Sequence, residues 1–237
     1  MKNIFYITFL SFLVGTIGTS LGGLLSFFIK KNAKHLSFFL GLTGGLMLQI
    51  VTFHLIPEAI LLSNILVVIL GTFFGIALIC LIDWRCFDQD TPKYLKTSLL
   101  LGIGIALHNF PEGLAIGSSF MIDNHLGHFL AFAILLHNIP EGIALGIPLK
   151  VNKTSLWRII IFTGIAGMPT GLGAFIGAYL GTISNYLVAF CLAFAGGTMF
   201  FIIIDNIFPN AKTLHEGRVS TIGTILGFLL GVLYSYY

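Results

Sequence analysis

The sequence predicts an all-α integral membrane protein with eight transmembrane helices. Of its 237 residues, 57% are apolar and only 9% are charged, and the mean hydropathy is +0.99. A water-soluble globular domain could not expose such a surface. Apolar stretches of about 20 residues, the length that crosses a bilayer as a helix, follow one another along the chain with short polar breaks. The fold class therefore follows from composition and from the length of these stretches.

Eight apolar segments fill the chain and leave no room for a soluble domain. The first segment is longer than the apolar core of a secretory signal and lacks a small-residue cleavage site, so we expect it to be a transmembrane span. A single transmembrane domain over residues 1–237 is the predicted organisation. The predicted segments are 4–29, 36–62, 65–82, 97–120, 126–149, 159–180, 186–208 and 219–237.

Basic residues predict the orientation, because loops rich in Lys and Arg stay in the cytoplasm. Eleven of the twelve basic residues lie in the connections after the first, third, fifth and seventh segments, and Lys2 stands alone at the N-terminus. Both termini are therefore expected to be extracellular, in a multi-pass protein of the cell membrane. These loops account for the net charge of +3, so no nucleic-acid partner is expected. Cys80, Cys86 and Cys191 show no paired spacing, which argues against a disulfide framework.

Two internal repeats organise the chain. The stretch HNFPEGLAIG at 108–117 recurs 29 residues later as HNIPEGIALG at 137–146, with seven of ten positions identical. Residues 44–59 and 196–211 share a Gly-Gly pair, a Met, a Pro and an Ala at one offset of 152 residues. Because the second and seventh spans cross in opposite directions, the second repeat predicts a 3+2+3 inverted-repeat bundle. The alternative is that the Gly pairs only let helices approach closely.

The HNxPEG repeats predict a metal site near the middle of the membrane. Residues i and i+4 share one face of a helix, and residues i and i+3 are neighbours. Each motif therefore turns a His, an Asn and a Glu towards one volume between two antiparallel helices. This mixed set of nitrogen and oxygen donors suits borderline divalent ions. The predicted metal ligands are His108, Asn109, Glu112, His137, Asn138 and Glu141.

The cost of burying two carboxylates supports this interpretation. Each carboxylate at the bilayer centre costs about 2.5–3.5 kcal/mol, so we expect a dication between the two Glu side chains, with the two neutral His side chains completing a four-ligand shell. The two Asn carboxamides are expected to hold a second ion that the same carboxylates bridge. Pro111 and Pro140 remove backbone donors, which predicts kinks and frees the carbonyls of Leu107 and Leu136 as further ligands.

Two weaker polar pairs predict stations along a metal path. His54 and Glu58 lie around Pro57 in the second segment and are the candidate entrance, unless they form an ordinary pair at a helix end. Asp205 and Asn206 precede a proline in the seventh segment and are the candidate exit.

At these residues the chain resembles the ZIP family, the Zrt/Irt-like proteins, whose fourth and fifth spans carry His-Asn-x-Pro-Glu-Gly motifs. The resemblance covers nearly all of the chain and includes the Pro57-Glu58-Ala59 ending of the second span. It implies transport of Zn²⁺, Fe²⁺, Mn²⁺ or related ions into the cytosol through a site that can hold two ions. It also implies a moving transport bundle and, often, a homodimer.

Three departures from the family pattern limit this transfer. Met168 stands before Pro169 where several bacterial relatives have Glu, so the second metal position lacks one expected carboxylate. The seventh span ends in Pro209-Asn210 where relatives often have Pro-Glu, which makes the proposed exit less acidic. The connection around residues 84–90 is short and lacks the His-rich sequence often found in relatives, so no metal-sensing loop is expected there.

An intramembrane metal-dependent hydrolase is the alternative function, in which a bound metal would activate water beside a carboxylate base. The HExxH pattern of zinc peptidases is absent from the sequence. A metal receptor without flux also stays open. His ligands argue against Mg²⁺ and Ca²⁺, and motifs without Cys or Met argue against Cu(I). Zn²⁺ is the first expectation for a transported ion, Fe²⁺, Mn²⁺, Co²⁺ and Cd²⁺ remain open, and no resident cofactor is expected.

Overall fold

A computed structural model describes residues 3–86, 92–180 and 184–236 of the chain, and these residues are helical apart from short connections. Lys2, Tyr237 and residues 87–90 of the predicted short loop lie outside the described residues. The described helices are α1 (Ile4–Phe28), α2 (Ala33–Leu62), α3 (Ile65–Cys86), α4 (Lys93–Ile122), α5 (Asn124–Val151), α6 (Leu156–Leu180), α7 (Asn185–Leu214) and α8 (Val219–Tyr236).

The helices confirm the prediction of an all-α membrane protein. Helices α1 to α7 are long and apolar enough to cross a membrane, and α8 has a shorter apolar stretch at Val219–Leu233. Several helices extend beyond the predicted apolar segments, because polar residues near a membrane surface continue a helix without contributing to its hydrophobicity. Helix α7, for example, continues past Pro209 to Leu214.

Two π-helical turns interrupt α2 and α7 at related positions. They span Val51–Leu55 and Ile202–Ile207, and each ends just before a helical turn that contains Pro57 or Pro209. Proline clashes with the carbonyl four residues earlier and lacks an N–H, so the helix widens locally to keep its other backbone groups bonded. Helices α4 and α5, by contrast, stay α-helical through their motif prolines.

A one-residue connection places the two motifs at the same level. Asp123 alone separates α4 from α5, and its backbone N–H donates to the carbonyl of Ser119 at 2.9 Å. Its side chain accepts the N–H of Leu126 at 3.1 Å and so caps α5. His108 and His137 lie 15 and 14 residues from this turn, or about 22 Å along each helix. The hairpin therefore brings both imidazoles to the same depth.

Four helices, α1, α4, α5 and α6, form the motif bundle, which carries both HNxPEG repeats. Helix α1 packs along α5, α4 packs along the second half of α6, and α1 crosses α6. The contacts are made by backbone, since a Cβ at the glycines of these crossings would collide with a carbonyl oxygen of the neighbouring helix. Those glycines are Gly142 for α1–α5, Gly113 for α4–α6, and Gly15 and Gly167 for α1–α6.

Lys150 ties the same bundle together at one end. Sequence analysis placed this residue in a loop, but it lies in the last turn of α5 and is only 5% exposed. Its ammonium group donates to the carbonyls of Ser26 at 3.2 Å and Phe27 at 2.5 Å, and also to that of Ile29. A cation at the C-terminal carbonyls of a helix is electrostatically favourable, so Lys150 caps α1 from α5.

The remaining helices, α2, α3, α7 and α8, form the second bundle. Helix α8 packs along α2, and α3 packs along α7. Gly45 lies against the carbonyl of Thr224, and Gly197 lies against that of Thr72. The members of each of these residue pairs, 45 with 197 and 72 with 224, are 152 residues apart. The two contacts therefore repeat each other.

The two bundles meet mainly where α2 packs on α5 and where α4 packs on α7. The α4–α7 contact is formed by aliphatic side chains that belong to one core cluster, including Leu101 and Ile105 on α4 and Ile202 on α7. At Gly104 the nearest atom to an added Cβ is the flexible end of Ile202. Contacts inside each bundle thus involve backbone, while the α4–α7 contact involves side chains.

Alanine at Gly197 is expected to lower the thermal melting midpoint in detergent, because its Cβ would strike the carbonyl of Thr72. The expected loss of stability is about 1–3 kcal/mol, as for other overpacked cores. Gly196→Ala is the matched control, since its Cβ meets only side-chain atoms of Ile56 and Val51. Equal melting midpoints for the two variants would contradict the close backbone contact.

Candidate metal centre

The six residues of the HNxPEG motifs lie in the interior of the motif bundle. His108, Asn109 and Glu112 project from α4, and their equivalents project from α5. All six are buried except His137, whose side chain is 11% exposed. The helical spacing of each motif places its His and Glu one turn apart on the same face. The structure therefore brings the predicted ligands together.

Four donor atoms converge on one point between α4 and α5. The Nε2 atoms of His108 and His137 are 3.2 Å apart. Oε1 of Glu112 is 3.3 Å from each of these nitrogens. Oε1 of Glu141 is 2.8 Å from Nε2 of His108 and 3.1 Å from that of His137. Each carboxylate thus contacts an imidazole on its own helix and one on the facing helix.

The five separations are close to the distance between two ligands of one metal ion. His108, Glu112 and His137 each offer a donor atom within 4.8 Å of the other two. Ligands bound to Zn²⁺ at about 2.0–2.1 Å lie about 3.3 Å apart in tetrahedral geometry. Oε1 of Glu141 has no hydrogen-bond partner of acceptable geometry, although both imidazole nitrogens are close to it. The donor atoms therefore point at a shared centre more than at one another, as ligands of one ion do.

The charges of the buried carboxylates also favour a cation at this point. Two carboxylates held together in a buried site repel each other unless protons or a cation offset their charge. The groups that the structure places beside them are imidazoles, which as neutral donors add metal ligands without adding charge. A dication at the centre would cancel both negative charges and coordinate all four groups.

Four further oxygens of the motif side chains are buried without a hydrogen-bond partner among the described residues. Nδ2 of Asn109 donates to the carbonyl of Ala166 at 3.0 Å, which fixes the orientation of the amide and leaves its Oδ1 without a partner. Neither polar atom of the Asn138 side chain has a hydrogen-bond partner, and the same is true of the Oε2 atoms of Glu112 and Glu141. Buried oxygens without partners are costly and are suitable ligands for a second cation.

Met168 takes no part in this oxygen set. It connects the two halves of α6, is 40% exposed, and lines an apolar surface groove with Phe9 and Phe12 of α1. Its side chain therefore lies on the outer surface of the motif bundle, and the second set consists of the amide and carboxylate oxygens alone.

The candidate entrance lies next to the centre. His54 and Glu58 are both exposed. The helix that carries them, α2, packs on α5, which carries His137. His54 lies within the π-helical turn of α2, a feature that the sequence reading missed and that is frequent at functional sites.

The candidate exit residues lie in the π-helical turn of α7. Asp205 is exposed and Asn206 is buried, and their side chains approach to 3.5 Å. Sequence analysis missed the role of Asn210, which is 3% exposed and donates to the carbonyl of Asn206 at 2.7 Å and to Thr97 Oγ1 at 2.9 Å. The 152-residue repeat could have pointed to Asn210, because Asn206 and Asn210 follow His54 and Glu58 by 152 residues.

Comparison with known proteins identifies similar chains. The profile of the family described as "ZIP Zinc transporter" matches residues 85–235. A "Zinc transporter ZupT" from Streptococcus mutans is 30% identical over 97% of this chain and 96% of its own. Another ZupT, from Akkermansia muciniphila, is 29% identical over 94% of both chains. The human "Zinc transporter ZIP11" is 38% identical over 55% of this chain and 40% of its own.

We expect Zn²⁺ to stabilise the purified protein through the four-atom centre. At a Zn²⁺ concentration one hundred times the dissociation constant, binding to the folded state alone adds about 2.7 kcal/mol, which thermal unfolding in detergent would register as a higher melting midpoint. Glu141→Gln should abolish most of this increase, because it removes a charged ligand. Glu216→Gln, at an exposed position, is the control, and an equal Zn²⁺ response in both variants would contradict the assignment.

Proposed function

This chain belongs to the ZIP family, and from that membership we propose that it transports divalent transition-metal ions across the membrane, with Zn²⁺ as its first substrate. The relatives that match nearly its whole length are named zinc transporters, and its apolar helices make it a multi-pass membrane protein. The single observation that carries the proposal is the convergence of four donor atoms between α4 and α5, where each carboxylate oxygen lies 2.8–3.3 Å from both imidazole nitrogens.

The primary ion binds to one donor from each of His108, Glu112, His137 and Glu141. Burial of the site excludes water, so an ion entering it exchanges its hydration shell for these four groups. Two carboxylates neutralise the dication, which lowers the cost of holding it away from water. A site of this kind binds the ion without leaving net charge in the membrane.

A second ion binds to the oxygens of Asn109 and Asn138, with the second carboxylate oxygens of Glu112 and Glu141 as bridges. The lack of partners for these buried oxygens supports this position. Met168 supplies no ligand to it because its side chain lies in the groove beside α1. Because its only carboxylates are the two that it shares with the primary ion, the second position holds its ion more weakly.

The helices form a 3+2+3 inverted repeat in a single transmembrane domain. Shifting α1 and α2 by 152 residues reproduces the bounds of α6 and α7. The π-helical turns follow the same shift, since Ile56 donates to Val51 O and Phe208 donates to Ile203 O. The glycine contacts of α2 with α8 recur between α7 and α3. These equivalences support two inverted halves around the α4–α5 hairpin.

Transport runs towards the cytoplasm, with both termini outside the cell. Eleven of the twelve basic residues lie in the connections α1–α2, α3–α4, α5–α6 and α7–α8 or in the helix ends beside them. We call this side of the molecule the basic end. Two direct contacts support the placement of the α3–α4 and α7–α8 connections at the same end of the molecule. Lys96 contacts Asp83 at 2.5 Å, and Lys93 contacts Thr213 at 3.0 Å. By the rule that basic loops stay inside, the basic end faces the cytosol.

The motif bundle moves relative to the second bundle and carries the metal with it. Its helices touch through backbone at glycines and are tied by Lys150, so they move as one body. The contact with the second bundle consists largely of aliphatic side chains, whose non-directional packing permits displacement. This division supports a carrier mechanism in which the site is exposed to one side of the membrane at a time.

The metal path has one station on each side of the centre. The position of His54 and Glu58 on α2, which packs on the motif helix α5, supports the role of this pair as the entrance. The exit contains Asp205 and Asn206, in the equivalent turn of α7 and nearer the basic end. We further propose a homodimer in the lipid bilayer, in which α3, the least buried of the long helices, offers the free face.

Uptake into proteoliposomes tests the function directly. Wild-type protein should accumulate Zn²⁺, and both Glu112→Ala and Glu141→Ala should reduce the rate at least about tenfold, because each removes a ligand of the site. Glu216→Ala is the control for loss of an exposed acidic side chain. Adding Fe²⁺, Mn²⁺, Co²⁺ or Cd²⁺ as competitors would rank the substrates. Binding without uptake would indicate a receptor and would contradict the proposal.

Metal content after equilibrium dialysis tests the second position. We expect up to two Zn²⁺ per wild-type chain at saturating metal, with the second bound more weakly. Asn138→Ala should remove the weaker ion and leave the tighter one, because its carboxamide oxygen belongs only to the second set. Asn152→Ala, beyond the end of α5, provides the control. Loss of the tighter ion in Asn138→Ala would contradict the division into two positions.

A further inference from the structure

Three polar contacts join the first turns of α4 to the second bundle. Lys96 Nζ lies 2.5 Å from Oδ1 of Asp83, at the end of α3. Lys93 Nζ donates to Oγ1 of Thr213 at 3.0 Å, and Nδ2 of Asn210 donates to Oγ1 of Thr97 at 2.9 Å. We call this set the basic-end clamp; its residues are Asp83, Lys93, Lys96, Thr97, Asn210 and Thr213.

The contact at the centre of the clamp is buried and well ordered by its neighbours. Thr97 is 2% exposed and Asn210 is 3% exposed. The hydroxyl of Thr97 donates to the carbonyl of Lys93 at 3.0 Å, so its oxygen is left to accept from Asn210. Asn210 also donates to the carbonyl of Asn206 at 2.7 Å. Separating Thr97 from Asn210 would therefore break one buried hydrogen bond and leave one of the two amide N–H groups of Asn210 unpaired, which is costly.

The clamp joins the parts that the transport mechanism must move apart. Lys93, Lys96 and Thr97 belong to the motif bundle, whereas Asp83, Asn210 and Thr213 belong to the second bundle. Elsewhere along the α4–α7 contact, aliphatic side chains face each other. Directional hydrogen bonds and an ion pair hold one geometry, while aliphatic contacts tolerate a shift.

The opposite end of the molecule has no equivalent set of residues. The repeat of 152 residues relates Asn210 to Glu58 and Thr213 to Leu61, and the 29-residue step relates Thr97 to Leu126. Glu58 is exposed, Leu61 is 80% exposed and Leu126 is 43% exposed. Apolar residues thus replace two of the polar partners, so the polar contacts of the basic end cannot form here. Among the described residues, the three contacts of the clamp therefore have no counterpart at these equivalent positions.

We propose that the basic-end clamp is the gate for metal release, which closes the path at the basic end while the opposite end is open. This inference rests on the proposed two-bundle transport mechanism and adds the residues that hold one of its states. Asn210 contacts the backbone of Asn206 in the exit turn, so opening the clamp frees the exit at the same time. Metal release requires all three contacts to break together.

Cross-linking tests whether the clamp must open. The variant Thr97→Cys/Asn210→Cys, with the three native cysteines changed to Ser, is joined by oxidation or by a short thiol-reactive linker. Locking one state should reduce Zn²⁺ uptake into proteoliposomes at least about tenfold, while Zn²⁺ binding at the centre is retained and reduction restores uptake. Uptake that continues at the uncross-linked rate would overturn the proposal.

A matched pair controls for cross-linking itself. Ser37 Oγ donates to the carbonyl of Ala211 at 2.8 Å, and both residues belong to the second bundle. Cross-linked Ser37→Cys/Ala211→Cys should therefore keep its uptake. If the reduced protein and the wild type also fail to take up Zn²⁺, the proposed function is wrong. If they transport and the locked variant does too, only the clamp is wrong.

A labelling experiment tests whether the clamp is the gate even if the cross-link forms poorly. Asn206→Cys keeps the carbonyl that Asn210 contacts and places a thiol at a buried position. Adding Thr97→Val and Asp83→Asn weakens the clamp and so increases the population of the open state. A membrane-impermeant maleimide added from the side of the basic end should then modify the thiol about fivefold faster or more. An unchanged modification rate would count against the gate.

Discussion

Two carboxylates and two imidazoles share one buried point in this protein, and the rest of the structure serves to hold them there. Oε1 of Glu141 lies within 3.1 Å of both imidazole nitrogens, and Oε1 of Glu112 lies 3.3 Å from each. In a low-dielectric interior such a cluster is stable only when a cation or protons offset its charge. The one-residue turn at Asp123 is what keeps the two helices level enough for the four atoms to meet.

Close helix packing keeps this arrangement rigid without making the whole molecule rigid. Glycines such as Gly113 and Gly142 let α6 and α1 approach the motif helices until backbone touches backbone. Backbone contacts leave little freedom to shift, whereas aliphatic side chains at the α4–α7 contact can exchange partners at small cost. In the proposed mechanism the candidate metal centre moves as a unit, and polar contacts such as Thr97–Asn210 hold one of its positions.

Much of the centre was predictable because its signals are local. A repeated HNxPEG motif at helical spacing places His and Glu on one face, and burial of charge in lipid demands a compensating ion. The parts that were missed depend on contacts between distant segments. Nothing near Lys150 in sequence indicates that it caps α1, and nothing near Met168 indicates that its side chain lies in a groove beside α1. The π-helical turns were not predicted either, because the sequence pattern assumes a regular α-helix.

By itself the sequence determined that the protein is a bundle of apolar helices, and it predicted which residues would bind metal and that two halves of the chain are related. These properties depend on composition and on spacing within single helices, which a bilayer constrains strongly. Only the tertiary structure decided that each carboxylate oxygen lies 2.8–3.3 Å from both imidazole nitrogens and that Thr97 and Asn210 pair across 113 residues. Such distances are set by how closely helices pack, and that depends on side chains far apart in the chain meeting in space.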